Sequence, residues 1–271
     1  MSAIKVLVTG VYGLIGNLVY THLTRFPDAY KVYGSARRYQ HSDRLRDEQV
    51  VDVPEKRFYL ADLTDYDSIQ RAVQGMDVVV HMAADASGTK GWESLHSNNV
   101  IGAYHVFEAC RLAGVKRLLY ASTIQVNYGY QLDEPYSAIW QGQVEDVPAQ
   151  IPLVTAIMPD RPLNLYSASK IWGEALAHIY AYRHGLSCIV LRIGWVLGDD
   201  RPRQNWMHGD WCSQRDIVQL VRRCIDAPES LRYDIFYGVS DNRYRFVDIE
   251  HARQVVGYVP QDRAERTLGI E

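Results

Sequence analysis

The stretch TGVYGLIG, residues 9 to 16, sets glycines at 10, 13 and 16 directly behind the apolar run AIKVLV. An almost wholly apolar run of that length reads as a strand covered on both faces. From Gly13 to about Phe26 apolar residues recur at helical spacing, with Leu14, Leu18 and Leu23 on one side, and Pro27 ends the pattern. A strand that hands over to a helix through glycines at every third position restricts the fold sharply. The chain has to turn tightly and then pack the helix back on the strand.

The rest of the chain repeats the alternation. Strands are predicted at 30–36 (YKVYGSA), 57–62 (RFYLAD), 76–84 (MDVVVHMAA), 116–122 (KRLLYAS) and 187–194 (SCIVLRIG). Helices are predicted at 65–74, Trp92 to Ala113 and Leu165 to His184, the last two closed by Gly114 and Gly185. This order predicts an α/β fold, a Rossmann-type doubly wound parallel sheet. Residues 1–194 form the dinucleotide-binding part, with an insertion at about 130–162. Residues 195–271 form a small C-terminal substrate-binding portion that is not an independent domain. Within it Ser213 starts a helix and Asp216 completes a capping box. A strand (YDIFYGV) and a last helix near 246–256 follow.

With 29 basic and 32 acidic residues well mixed, the net charge of −3 offers no nucleic-acid or membrane surface. No apolar run reaches about 18 residues, and no signal peptide is evident. Cys110, Cys188, Cys212 and Cys224 lack C-x-x-C spacing and read as reduced, mostly buried thiols of a cytoplasmic protein rather than a disulfide or metal site.

In a βαβ context the glycines acquire a purpose. Gly10 permits the turn, Gly13 leaves room for a pyrophosphate, and Gly16 lets helix and strand approach. The helix N-terminus then offers N–H groups and a partial positive charge to an anion. The second feature is YSASK, where Tyr166 and Lys170 lie one turn apart on a helix face. A phenol is a poor base near neutrality unless a nearby cation favours phenolate. The third is YASTIQV at the end of the fifth strand.

Together with Asp62 in YLADLTD, Ala83–Ala84 in HMAA and Asn99 in NNVIG, these features resemble the extended short-chain dehydrogenase/reductase superfamily. The resemblance covers about residues 3–200. It implies a nicotinamide cofactor, with Tyr166 as acid/base, Lys170 beside it and Thr123 on the substrate oxygen. It further implies cofactor contacts at Gly10, Tyr12, Gly13, Leu14, Ile15, Gly16, Asp62, Leu63, Met82, Ala83, Ala84, Asn99, Tyr166, Lys170 and Ile193. The second strand ends GSARR without a carboxylate, so Arg37 and Arg38 are expected to meet a 2′-phosphate and NADP to be preferred over NAD.

Trp195 occupies the position where sugar-nucleotide epimerases usually carry Asn, and the C-terminal portion is short. Both features bring the chain closer to the small uronate dehydrogenases, yet Thr123-Ile124-Gln125 replaces their Ser-Asn-His run. Asp85, Ser87, Gln125, Trp195, Arg203, Trp206 and His208 are candidate substrate contacts on loops at the carboxyl ends of strands. The expected activity is hydride transfer on a carbohydrate-like or other small hydroxyl or carbonyl compound. The alternative is an epimerase or dehydratase that returns the hydride to its substrate. A non-catalytic dinucleotide sensor would be expected to lack the Tyr–Lys pair. The insertion is expected to act as a lid or an interface. The resemblance also implies a homodimer through helices 92–113 and 166–184, with Ile101, Tyr104, Phe107, Ile171, Leu176 and Tyr180 supplying apolar surface.

Overall fold

Seven strands, all parallel, form one sheet in the order β3-β2-β1-β4-β5-β6-β7. They are β1 (Ile4–Thr9), β2 (Tyr30–Ala36), β3 (Phe58–Leu60), β4 (Val78–His81), β5 (Arg117–Thr123), β6 (Ser187–Ile193) and β7 (Tyr233–Gly238). The computed structural model describes residues 2–86, 91–143, 147–203 and 209–270. The order doubles back at β1, which pairs with β2 on one side and β4 on the other. That reversal opens a crevice at the carboxyl ends of the strands, where ligands of such sheets bind.

Strand residues alternate between two cores. Val6, Val8, Val78, Val80, Leu119, Ile189 and Leu191 pack with α1 (Leu14–Leu23) and α7 (Gln214–Ile225). Leu7, Val79, Leu118, Tyr120, Cys188 and Val190 pack with α2 (Tyr66–Val73), α4 (Gly102–Leu112) and α6 (Leu165–His184). Both faces are therefore dry, which is why these strands read as unbroken apolar runs.

Several boundaries differ from expectation. The helix predicted from Trp92 is α3 (Trp92–Leu95) followed by a π-wound stretch, His96–Ile101, before α4. The last predicted helix shortens to α8 (Glu250–Val256), and α9 (Ala264–Leu268) follows it. Ser213 caps α7 by accepting from the Asp216 N–H at 3.2 Å, but the box is not reciprocal. Ser213 donates its own N–H to Ser240 at 3.0 Å, and the buried Asp216 carboxylate accepts from Ser240 Oγ and from Gln261 N. Asp216 thus ties α7 to the C-terminal tail.

The insertion is built into the body of the protein. A 3-10 stretch (Ile124–Leu132) and α5 (Tyr136–Gln141) place Tyr128, Tyr130, Tyr136 and Ile139 in a third core with Val154, Phe246, Val247 and Ile249. Val154 bridges to Val247. Burial of these apolar side chains, worth about 1.5–3 kcal/mol each, fixes the segment against the C-terminal portion.

Candidate active site

The glycine turn has the sterics that a tight strand-to-helix connection demands. Gly10 has φ +66°, and a Cβ there would lie 2.8 Å from Ala83 Cα. A Cβ at Gly16 would lie 2.2 Å from Gly10 O. Gly13 is different: the only neighbour of an added Cβ is Gly10 O at 3.2 Å. Packing alone therefore does not require glycine at 13, and the space above it stays open. Gly13 is also the N-cap of α1, makes no side-chain cap bond, and the first turn has no acidic residue. The first N–H groups of α1 are thus available to an anion. An uncapped helix end with an open cradle above it fits a dinucleotide pyrophosphate.

Neighbouring residues line the crevice. Ala83 N donates to Thr9 Oγ1 at 3.2 Å, which sets the Met82-Ala83-Ala84 turn over Gly10. Asp62 accepts from Thr64 N at 2.9 Å, and Leu63 packs against Gly102. Tyr12 stacks on Phe58, with ring centres 5.2 Å apart, and its carbonyl accepts from Ser42 N at 2.8 Å. Leu14 is buried beneath the turn, Ile15 packs against the same core, and Ile193 ends β6 opposite Thr123. Arg37 and Arg38 follow β2 and are exposed. Asn99 is buried. Its Nδ2 donates to Asp85 O at 3.0 Å and its Oδ1 accepts from Asp85 N at 2.8 Å, so it pins the loop after β4.

The structure brings Thr123, Tyr166 and Lys170 together. Asn164 caps α6 by accepting from Ser167 N at 2.8 Å, which starts the helix just before Tyr166. The Thr123 side chain lies beside the Tyr166 phenol and favours its ionised form. Burial pushes that phenol up to about 12, opposed by Thr123 and by the Arg44 guanidinium and reinforced by the Asp85 carboxylate. Lys170 is buried, and its ammonium lies 4.5 Å from the centre of the Tyr120 ring. Burial brings Lys170 down to about 7, with Glu174 pulling the other way. Burial and Lys170 hold His81 near 3, a neutral ring hydrogen-bonded to Thr9 at 2.8 Å. The Arg44 guanidinium also pulls the Tyr166 phenol down.

Sequence reasoning missed several groups. Arg44 comes from the long segment after β2 and donates to Val196 O at 3.1 Å. Beneath α6, Arg192 donates to both oxygens of Glu174 (3.1 and 2.6 Å), to Asp160 (2.6 Å) and to Asn127 (2.9 Å). A charged residue in an apolar β6, and Glu174 one turn beyond Lys170, were the available signals. Nothing local in the sequence marks Tyr128 and Asp210, which meet only through the fold.

The substrate candidates divide. Asp85 acts electrostatically on Tyr166 and accepts from Ser94 Oγ at 2.5 Å. Gln125 accepts from Asn164 Nδ2 at 3.1 Å beside the start of α6. Trp195 donates from Nε1 to Tyr128 OH at 2.7 Å. Arg203 is turned to its own loop, donating to Asp199 at 2.8 Å. Ser87, Trp206 and His208 lie outside the described residues.

Known proteins resemble this chain along most of its length. The profile of the NAD dependent epimerase/dehydratase family matches residues 6–250. An NAD-dependent glucose-6-phosphate dehydrogenase of Haloferax volcanii is 32% identical over 96% of this chain and 94% of its own length. An L-arabinose 1-dehydrogenase (NAD(P)(+)) of the same organism is 30% identical over 96% of this chain and 97% of its own. The crystal structure of uronate dehydrogenase from Agrobacterium tumefaciens superposes with a TM-score of 0.78 at 26% identity, covering 100% of this chain and 89% of that one. This chain therefore belongs to the NAD dependent epimerase/dehydratase family, among its uronate-dehydrogenase-like members.

Proposed function

We propose that this protein is a nicotinamide-dependent dehydrogenase that transfers hydride from or to a hydroxyl-bearing carbon of a small, sugar-like substrate, with Tyr166 as acid/base. The observation that carries this reading is Thr123 at the end of β5 set beside Tyr166, with Lys170 one turn along the same helix, in a fold whose first helix N-terminus is uncapped. When bound, the oxidised nicotinamide supplies the hydride acceptor and a positive charge. Tyr166, protonated near neutrality by burial, gives its proton to the carbonyl oxygen in the reductive direction and is left as phenolate; in the oxidative direction it must first lose that proton, which the positive charge of a bound oxidised nicotinamide would favour, and the phenolate then takes the hydroxyl proton. Thr123 holds the substrate oxygen. Gly10, Gly13, Gly16 and the first turn of α1 hold the pyrophosphate, and the Met82–Ala84 turn walls the crevice above them.

Exposed Arg37 and Arg38, with no carboxylate at the end of β2, support a preference for NADP over NAD. The named relatives that span the chain are dehydrogenases, which favours net redox over internal return of the hydride. Formation of reduced nicotinamide in step with oxidised sugar tests the reading. An epimerase would convert its substrate and release none.

We also propose a homodimer. Phe107, Leu176 and Tyr180 are spent on the core, so the surface expected of them is absent. Tyr104, Trp172, Ile179 and Tyr182 are each more than two-fifths exposed on α4 and α6 and supply an apolar face instead. A monomer in light scattering would contradict it. The four cysteines, all buried and unpaired, fit a reducing compartment and support a cytoplasmic place for the protein. Among the described residues no helix is long and apolar enough to cross a membrane.

A further inference from the structure

Between α6 and the sheet lies a buried polar network that the chemistry above does not use. Tyr120 and Ser122 stand two apart on β5, so their side chains share one face of the strand, and α6 packs against it. Tyr120 meets Lys170 of α6, whose ammonium lies 4.5 Å from the ring centre. Ser122 donates its hydroxyl to Glu174 Oε1 of α6 at 2.5 Å. On the neighbouring strand Arg192 is the register partner of Ser122. It grips the same carboxylate with two donors, Nε to Oε1 at 3.1 Å and Nη2 to Oε2 at 2.6 Å. Its other bonds go to Asp160 at 2.6 Å, to Asn127 Oδ1 at 2.9 Å and to Tyr237 OH at 3.1 Å. Thr123 directly follows Ser122, and Lys170 lies one turn before Glu174. The clamp thus joins the stretch of β5 that carries Thr123 to the part of α6 that carries Tyr166 and Lys170.

A buried ion pair is a poor device for stability alone, since apolar side chains of the same volume often serve as well or better. What it adds is direction. An apolar contact between helix and sheet can slide, whereas three bonds to one carboxylate hold a single register. We propose that Glu174 is a positioning residue for the hydride transfer: clamped by Ser122 and Arg192, it fixes α6 on the sheet so that Tyr166 and Lys170 stand in place against Thr123. This rests on the dehydrogenase reading and adds a residue to the machinery of that site.

The carboxylate also acts on Lys170 through its charge. Tyr120 faces Lys170 from β5 and His81 from β4, and burial keeps that phenol protonated and that ring neutral near neutrality. Glu174, one turn along α6, favours the ammonium against the burial that opposes it. Removing the negative charge therefore lets Lys170 lose its proton at lower pH. Breaking the bond to Ser122 alone leaves that charge, and so that ionisation, in place.

The test offers the whole protein NAD and NADP with glucose 6-phosphate, arabinose and glucuronate. On whichever sugar wild type oxidises, kcat, KM and the pH profile of kcat are compared for wild type, Glu174→Gln, Ser122→Ala and Asp160→Asn, after thermal melting shows the variants folded. Glu174→Gln is expected to lower kcat by about tenfold to a hundredfold with sugar KM changed by less than about twofold, since small misplacements of reacting groups carry losses of that size. It is also expected to move the ionisation near 7 to lower pH. Ser122→Ala is expected to lower kcat severalfold and leave that ionisation where it is. Asp160→Asn, which removes the other carboxylate on Arg192, is expected to match wild type in both respects. Should Glu174→Gln fail to fold, Ser122→Ala decides alone. Wild-type kcat in Glu174→Gln or in Ser122→Ala, or an equal loss in Asp160→Asn, overturns the positioning role and leaves the dehydrogenase reading intact. No reduced nicotinamide from wild type with any of these sugars overturns both.

Discussion

Lys170 sets its ammonium 4.5 Å from the centre of the Tyr120 ring, a buried ring whose hydroxyl has no hydrogen-bond partner and against which Gly173 packs. The arrangement sets a buried lysine of α6 over an aromatic face. Burial lowers the lysine to about 7 from its usual value near 10.5. The unfolded chain therefore binds a proton that the folded chain sheds between those values. Folding stability from this group rises as pH rises through that window, and its penalty is full below about 7. Lys170→Met is expected to raise the melting temperature above wild type at pH values near 6, and by much less near 10. A melting difference that does not change with pH would contradict the burial of this charge.

The glycine turn separates into a packing role and a ligand role. A Cβ at Gly16 would collide with Gly10 O at 2.2 Å, so Gly16→Ala is expected to cost about 1–3 kcal/mol of stability. Gly13 has only the 3.2 Å contact to Gly10 O. Gly13→Ala is expected to melt close to wild type yet weaken cofactor binding by about tenfold or more, since a methyl group would enter the cradle above α1. Calorimetric titration and thermal melting together check both variants.

Arg37 and Arg38 sit where β2 ends, exposed and free to meet a phosphate. Removing a charge-assisted hydrogen bond costs about 1.5–3 kcal/mol. Arg37→Ala combined with Arg38→Ala is expected to lower kcat/KM for NADP by about tenfold or more and to leave NAD nearly unchanged. An equal loss with both cofactors would contradict the assignment.

Arg192 is 1% exposed and holds the carboxylates of Glu174 and Asp160, each at 2.6 Å. It thereby joins β6, α6 and the insertion. Taking away one partner of a buried ion pair leaves the other uncompensated and costs about 3–5 kcal/mol. Arg192→Met is expected to lose stability of that order in chemical denaturation. A variant as stable as wild type would show that the network carries no net energy.

The fold was legible because the sheet is buried on both faces. Val6 to Val8, Val78 to Val80 and Cys188 to Leu191 read as unbroken apolar runs, and caps such as Gly185 and Asn164 mark the helix ends. Tyr166, Lys170 and the glycines were legible because their spacing is local. Arg44 was not, since it comes from the segment after β2 and only tertiary packing brings it near Tyr166. The π-wound stretch at His96–Ile101 escaped notice because its apolar spacing continues that of the helix around it. The exposed apolar surface of helices 92–113 and 166–184 was misplaced for a related reason. Helical periodicity identifies an apolar face but does not say whether the sheet or a second chain covers it, and Phe107 and Tyr180 went to the sheet.

The central claim is that Tyr166 moves the proton while hydride moves at the neighbouring carbon. Tyr166→Phe keeps the ring and removes only the hydroxyl beside Thr123. The decisive measurement is kcat of Tyr166→Phe with a turned-over sugar, alongside cofactor affinity by calorimetry. A fall in kcat of about 10²–10⁴-fold with cofactor binding retained is the expected result. Unchanged turnover would contradict the account.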